Sequence, residues 1–256
     1  MMKFFRKIRQ NLLSENKFSK YLIYAIGEII LVVIGILIAL QINNLNESKK
    51  EKTILNASLN SLVLNLKEDI DNLNKQIDYN EDVQKAIDFS FRIVSLPEYE
   101  NVALSNYNIE IKDIASEKTF LPSKTTYKSM ESGSHFQWIN NQELAESIFK
   151  YYIMLDRFSN LTNENNQFVK KHIESFIYNE MEFGTFFPSS NPYSKNRDLK
   201  NRDLKFDNTN ILRGEPEFEN ALIGRKFRAS GEINLSKDAI TKATELINSI
   251  DTYLNE

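Results

Sequence analysis

A run of twenty residues, Tyr21 to Leu40, constrains this chain most strongly, because it is apolar except for one carboxylate, Glu28. Twenty helical residues rise about 30 Å, which is the thickness of the hydrocarbon core of a bilayer. A helix satisfies its own backbone hydrogen bonds there, whereas an irregular segment cannot. The run therefore predicts one transmembrane helix over residues 21–40.

The charges on either side of the predicted span give its orientation. Residues 1–20 carry six basic residues and one acidic residue, whereas residues 41–256 carry a net charge of −7. Positive flanks stay on the cytoplasmic side, so we expect a cytoplasmic N-terminus and a large domain on the opposite side of the membrane. A cleaved signal peptide is the alternative, but this apolar core exceeds the usual ~7–15 residues and no small-x-small cleavage site follows it.

Composition excludes several classes of function. The chain has no cysteine, which excludes disulfides, a thiolate nucleophile and cysteine-based metal sites. The acidic outer domain argues against a nucleic-acid partner, because phosphate binding needs a concentrated basic face. Residues 1–20, with apolar residues at helical spacing among the basic ones, fit either a short interfacial helix or a charged topogenic tail.

Small residues within the span predict a face for helix packing. Gly27, Gly35 and Ala39 recur at multiples of four residues, and Gly35 with Ala39 forms a small-xxx-small pair that lets a partner helix approach closely. Glu28 lies beside Gly27. Its carboxylate is a candidate intramembrane partner contact, and the competing interpretation is a side chain that extends towards the interface.

Heptad spacing continues beyond the span and predicts a long helical stalk that is continuous with it. The predicted d positions are Leu59, Leu66, Leu73, Asn80, Ile87 and Val94, and the predicted a positions are Val63, Ile70, Ile77, Gln84 and Phe91. No proline or glycine interrupts residues 41–96, and Pro97 ends the pattern.

The rest of the chain predicts an extracytoplasmic, antiparallel helical bundle of the mainly α class. Residues 41–96 form the stalk and the first bundle helix. Residues 97–140 form a segment that connects this helix to the next long one, and residues 101–115 within it fit either a helix or a strand. Ser132 and Gly133 end a short helix there, and Asn140 or Asn141 caps the next one. The remaining predicted parts are a second long helix at 141–183, a loop at 184–213 containing the tandem repeat NRDLK, and two helices at 214–256, the second capped by Ser236. We expect the central polar layers of the two long helices to face each other.

Little in the sequence points to catalysis. His135 and His172 lack the spacing that places two metal ligands on one helical face, and His172 falls on a packing position of the second long helix, as do Val169 and Phe176. Glycine-rich phosphate loops and nucleophile elbows are absent from the sequence. We therefore expect no catalytic, cofactor or metal site and a non-enzymatic protein.

The N-terminal sequence LLSENKFSKYLIYAIGEIILVVIGILIALQINNLNE, residues 12–47, resembles the opening of a family of uncharacterised single-span proteins from Bacteroidota, a domain of unknown function. The sequence TYKSMESGSHFQWINNQELAESIFKYY, residues 126–152, resembles the same family more loosely. The resemblance implies a protein of the bacterial inner membrane with one span and a large domain in the periplasm. It implies no activity, ligand or catalytic residue.

Together these features predict a membrane-anchored structural or protein-interaction module of the cell envelope, which associates with itself or with another envelope protein. The alternative is an extracytoplasmic ligand-sensing module that signals through a separate membrane partner, because the charged last helix cannot be a second span.

Overall fold

The computed structural model describes residues 18–94, 112–180 and 216–255. These residues are almost entirely helical and contain no strand, which confirms the mainly α class. The helices are α1 (Phe18–Val94), α2 (Thr125–Ser132), α3 (Gln142–Phe168), α4 (Ser175–Glu180) and α5 (Pro216–Leu254), with a 3-10 helix at His135–Trp138 and a π-helical segment at Val169–Glu174. Residues 1–17 of the predicted basic tail, the break at Pro97, residues 101–111 and the loop with its tandem repeat lie outside the described residues.

The chain divides into two compact units, Met1–Ala57 and Ser58–Glu256. The second of these is also called the helical unit. In the first unit the predicted long apolar N-terminal helix is present as the beginning of α1. Within the described ranges, α1 is the one helix long and apolar enough to cross a membrane. Every Leu, Ile and Val side chain from Leu22 to Leu45 is between 46 and 71% exposed, and these side chains occupy all sides of the helix.

The part of α1 in the second unit buries two columns of residues, each with a spacing of seven. The predicted d column is fully buried at Leu59, Leu66, Leu73, Asn80 and Ile87. The second column is at most 1% exposed and consists of Leu62, Asp69, Gln76, Val83 and Ser90. The sequence assigned this role to the a positions instead, yet beyond Val63 these are only half-buried. The correction has a physical cause, because the polar members Asp69 and Gln76 are buried through hydrogen bonds to other elements.

Side chains from α1, the π-helical segment, α4 and α5 share one hydrophobic core. It also includes Ile114, from a helical turn at 112–115. The core members are Val83, Ala86, Ile87, Ile114, Val169, Ile173, Ile177, Phe218, Ala221, Leu222 and Ala229. Burial of such side chains contributes about 1.5–3 kcal/mol each.

The π-helical segment changes which residues face this core. Val169 is buried as predicted, but His172 and Phe176 are only half-buried, and Ile173 and Ile177 take the buried positions. A π-helix closes its hydrogen bonds over five residues rather than four, so the buried positions beyond Asn165 follow at intervals of four. A reading based on α-helical periodicity could not anticipate this shift.

The prediction of two C-terminal helices is wrong, because α5 is one helix of 39 residues. Ser236, expected as a cap, lies inside α5 and is fully buried. Buried positions continue through the predicted gap at three- and four-residue spacing, so the helix gains burial without a break at Ala229, Ile233, Ser236, Ala239 and Ala243. Phe218 and Leu222 of α5 are buried, whereas Phe227 is 78% exposed.

Replacing two glycines by alanine is expected to change stability in opposite directions. A methyl group on Gly231, inside α5, meets nothing within 4 Å. On Gly133 it would lie 2.5 Å from His135 Nε2 and 3.1 Å from the carbonyl oxygen of Ser129. We expect Gly231→Ala to stabilise the helical unit by about 0.5–1 kcal/mol through helix propensity, and Gly133→Ala to destabilise it by about 1–3 kcal/mol through overpacking.

Urea unfolding of the full chain in detergent micelles, followed by circular dichroism, measures both changes. The His135 ring is held by stacking on Trp138 and by a hydrogen bond with Ser58, so it cannot simply swing away from a new methyl group. Equal effects of the two substitutions would contradict this account.

Candidate functional site

Residues 116–124, called the strap here, form an irregular segment that is hydrogen-bonded to α1 and α3. The strap belongs to no helix or sheet, so its backbone N–H and C=O groups need other partners. A buried group left without one costs about 1–3 kcal/mol. Side chains of the long helices supply these partners.

Two residues of α3 accept hydrogen bonds from the first half of the strap. Asn166 Oδ1 accepts from the Lys118 N–H at 3.2 Å, and Thr162 Oγ1 accepts from the Phe120 N–H at 3.1 Å. Asn166 also donates through Nδ2 to Thr119 Oγ1 at 2.9 Å. Thr162 and Asn166 are four residues apart, so they lie on one face of α3.

Two residues of α1 accept hydrogen bonds from the end of the strap and from the first turn of α2. Asp69 Oδ1 accepts from the Ser123 N–H at 2.7 Å, and Asn65 Oδ1 accepts from the Thr126 N–H at 3.1 Å. These two residues are also four apart. Thr126 lies in the first turn of α2, whose N-cap residue Lys124 makes no side-chain cap. Asn65 therefore supplies the missing acceptor from another helix.

Carbonyl groups near both ends of the strap are also bound. Ser116 C=O accepts from the Tyr79 hydroxyl at 2.7 Å and from Arg225 Nη2 at 3.3 Å. Ser123 C=O accepts from the Tyr152 hydroxyl at 3.2 Å. Arg225 is 1% exposed, and its guanidinium also donates to the Tyr79 hydroxyl at 2.8 Å. The strap is thereby joined to α1, α3 and α5.

Asp69 is the acidic residue among these strap partners, and it is fully buried. Its second oxygen, Oδ2, accepts from the Tyr151 hydroxyl at 3.3 Å. Burial raises the pKa of Asp69 to about 6. Burial also raises the pKa of Tyr151 and of Tyr152, and the nearby Asp69 charge adds to both shifts, so both phenols stay protonated hydrogen-bond donors.

A second buried carboxylate, Glu232 of α5, is 2% exposed and accepts hydrogen bonds from three amide side chains. Gln76 Nε2 and Asn80 Nδ2, both of α1, donate to Oε2 at 2.7 and 2.8 Å. Asn165 Nδ2 of α3 donates to Oε1 at 2.7 Å. The predicted polar layers of the two long helices thus meet, but through a carboxylate of a third helix. Gln84, the other predicted polar residue, donates to Ser230.

Four buried polar atoms have no hydrogen-bond partner within the described ranges. They are Gln76 Oε1, Asn80 Oδ1, Arg225 Nε and Ser236 Oγ. Three of these atoms belong to residues of the layer around Glu232 or to the residue one turn after it. The two carboxylates of this region, Asp69 and Glu232, are enclosed acceptors of hydrogen bonds, and neither is in contact with solvent where a substrate could reach it.

The structure places the sequence-predicted residues in two separate regions. In the first unit Gly27 and Glu28 are half-buried, whereas Gly35 and Ala39 are exposed. A methyl group on Gly27 or on Gly35 meets nothing within 4 Å. The packing and partner roles of these residues concern a second molecule and stay predictions.

The predicted turn and cap residues lie at the ends of α2 and α3. α2 ends at Ser132, and Gly133 follows it with a φ of −81°, so the left-handed residue of this turn is Ser134. Asn141 caps α3, since its side chain accepts from the Leu144 N–H. Asn140 instead donates its N–H to the Tyr253 hydroxyl at 3.3 Å.

Both histidines make packing contacts. His135 stacks on Trp138, with ring centroids 4.8 Å apart, and His172 lies 4.8 Å from the ring of Phe168. In the part of the chain that the structure describes, no three His, Asp or Glu side chains converge as potential metal ligands.

The clefts lined by described residues of the second unit include two shallow ones. One has a volume of about 250 Å³ and is lined by Lys171, His172, Ser175, Phe176, Asn179, Glu180 and Glu217. The other, of about 180 Å³, lies between α1 and the strap and is lined by Asn72, Lys75, Gln76, Lys118, Thr119, Phe120 and Leu121. Both are smaller than the ~300–1,000 Å³ that is usual for small-molecule sites.

Comparison with known proteins gives one match. The model of a family of unknown function, DUF6090, matches residues 28–189, which is more than half of the chain. The match contains the strap and the three helix residues that accept its N–H groups, and it ends before α5. No curated protein and no solved structure matches the chain.

We expect the Glu232 carboxylate to be essential for the stability of the helical unit. Glu232→Ala would leave Gln76 Nε2 and Asn165 Nδ2 without an acceptor and Asn80 Nδ2 with the backbone carbonyl of Gln76 alone, at a cost of about 3 kcal/mol or more. Urea unfolding of the full chain in micelles measures the loss. Glu245→Ala, at an exposed position of the same helix, is the matched control and should change stability by less than about 0.5 kcal/mol.

Proposed function

We propose that this chain, which belongs to the family of unknown function DUF6090, is a membrane-anchored, non-enzymatic structural or protein-interaction module of the bacterial cell envelope. Residues 21–40 cross the inner membrane once, the N-terminus lies in the cytoplasm, and the second unit is a periplasmic helical bundle. The module associates with itself or with another envelope protein.

The observation that carries this proposal is the exposed apolar surface of α1 between Leu22 and Leu45. Soluble proteins rarely expose contiguous apolar patches beyond a few hundred Å². Here large aliphatic side chains surround the helix completely, which is the pattern of a helix whose solvent is lipid. The excess of basic residues at 1–20 supports the orientation.

The buried polar groups support a structural rather than a catalytic role. A catalytic acid or nucleophile must reach a substrate, yet Asp69 and Glu232 are enclosed and occupied by backbone, amide and phenol donors. Their contacts join three helices and the strap.

Single-cysteine labelling tests the topology directly, because the natural chain has no cysteine. We expect a membrane-impermeant maleimide to label Lys150→Cys, on the exposed surface of α3, in spheroplasts whose inner membrane is intact. Lys3→Cys should react only after the membrane is permeabilised. The opposite pattern, or release of the protein by alkaline carbonate, would refute the proposed topology.

The packing face of the span is tested by disulfide crosslinking of an Asn46→Cys variant in native membranes. We expect Gly35→Leu to reduce the yield of crosslinked dimer several-fold, because a large side chain keeps the partner helix at a distance. The isolated helix has room for this side chain, so its own fold is not disturbed.

Val33→Leu is the matched control, since position 33 is about 200° around the helix from Gly35. It should leave the yield unchanged. An unchanged yield of crosslinked dimer in Gly35→Leu would show that this face of the helix does not mediate association. Ligand-dependent stabilisation without any crosslinked or co-purified partner would favour the sensor instead.

A further inference from the structure

We propose that Asp69, Ser123, Tyr151 and Tyr152 form a proton-controlled latch that holds the strap more tightly under mildly acidic conditions than at neutral pH. The latch is a property of the helical unit alone and does not depend on the proposed function. In the closed state the strap covers Asp69. Opening lifts Ser123 and exposes the carboxyl group to water.

One strap residue, Ser123, makes the hydrogen bonds on which the latch depends. Ser123 is held at both of its backbone groups, because its N–H donates to Asp69 Oδ1 at 2.7 Å and its C=O accepts from Tyr152 at 3.2 Å. Asp69 Oδ2 receives the Tyr151 hydroxyl at 3.3 Å. The other acceptors of strap N–H groups, Thr162 and Asn166, do not ionise, and neither does Asn65, which accepts from Thr126 just beyond the strap. Among the acceptors of strap N–H groups, Asp69 is therefore the one whose protonation changes how strongly the strap is bound.

The groups that face Asp69 do not cancel the burial of its charge. Glu68 on its own helix disfavours the charge, Lys124 of the strap favours it weakly, and Tyr151 of α3 donates a hydrogen bond to it. Lys124 also forms an ion pair with Asp156. Burial is the largest influence, and it raises the pKa of Asp69 to about 6.

The direction of the pH effect follows from proton linkage. With the strap lifted, the Asp69 carboxyl meets water and its pKa returns towards its ordinary value of 3.8. The closed state then binds more protons than the open state between about pH 4 and pH 6. Closure is favoured at the acidic end of that range and weakens as the pH rises through 6.

Hydrogen exchange of the full chain in micelles tests the latch. Protection factors, corrected for the intrinsic pH dependence of exchange, are compared at about pH 5 and about pH 7.5. We expect the strap amides of Phe120 and Ser123 to lose about tenfold in protection at the higher pH. Amides in the middle of α3, such as that of Leu155, should keep theirs.

Three variants keep the proposal falsifiable. Asp69→Asn should abolish the pH dependence of the strap amides, whereas Asp71→Asn, an exposed neighbour, should preserve it. Tyr151→Phe removes a donor to the charged form and should move the midpoint to higher pH. The latch is overturned if the strap and α3 lose protection equally, if the wild-type strap shows no pH dependence, or if Asp69→Asn retains it.

Discussion

The constraint on which the second unit depends is the need to bind the backbone of the strap. A helix has no spare backbone groups in its interior, so an irregular segment packed on helices must find its partners among their side chains. Here α1 and α3 each offer a pair of acceptors one turn apart. The segment between the strap and α3 follows the same rule, with Asn141 as the cap of α3.

This constraint explains why polar side chains occupy buried positions of α1. Asp69 and Gln76 share a column with Leu62 and Val83, and they are as completely buried as those apolar neighbours. One bonds to the strap and the other to Glu232. Buried polar contacts of this kind add little net stability, but any movement of α1 that separates the partners leaves buried polar groups unpaired, which is costly. We infer that they fix the register of the helices.

The sequence was sufficient to predict the mainly α class, the long apolar N-terminal helix and the d column of α1, because all three depend on hydrophobic periodicity. The buried column through Asp69 and Gln76, the carboxylate of Glu232 and the buried Arg225 were missed, because periodicity assigns polar residues to the surface. The spacing of seven that joins Asp69 and Gln76 to Leu62 and Val83 was the available signal. Their partners lie tens of residues away in the chain, where no local pattern reveals them.

The π-helical segment at Val169–Glu174 has a consequence for how chains of this kind can differ in length. A π turn holds one residue more than the α turn it replaces. Losing a residue there would restore regular α-helical hydrogen bonding and leave Ile177 directed at the same core. Most proteins confine changes of length to their loops. This helix has a place in its interior where a relative can be one residue shorter and keep the same fold.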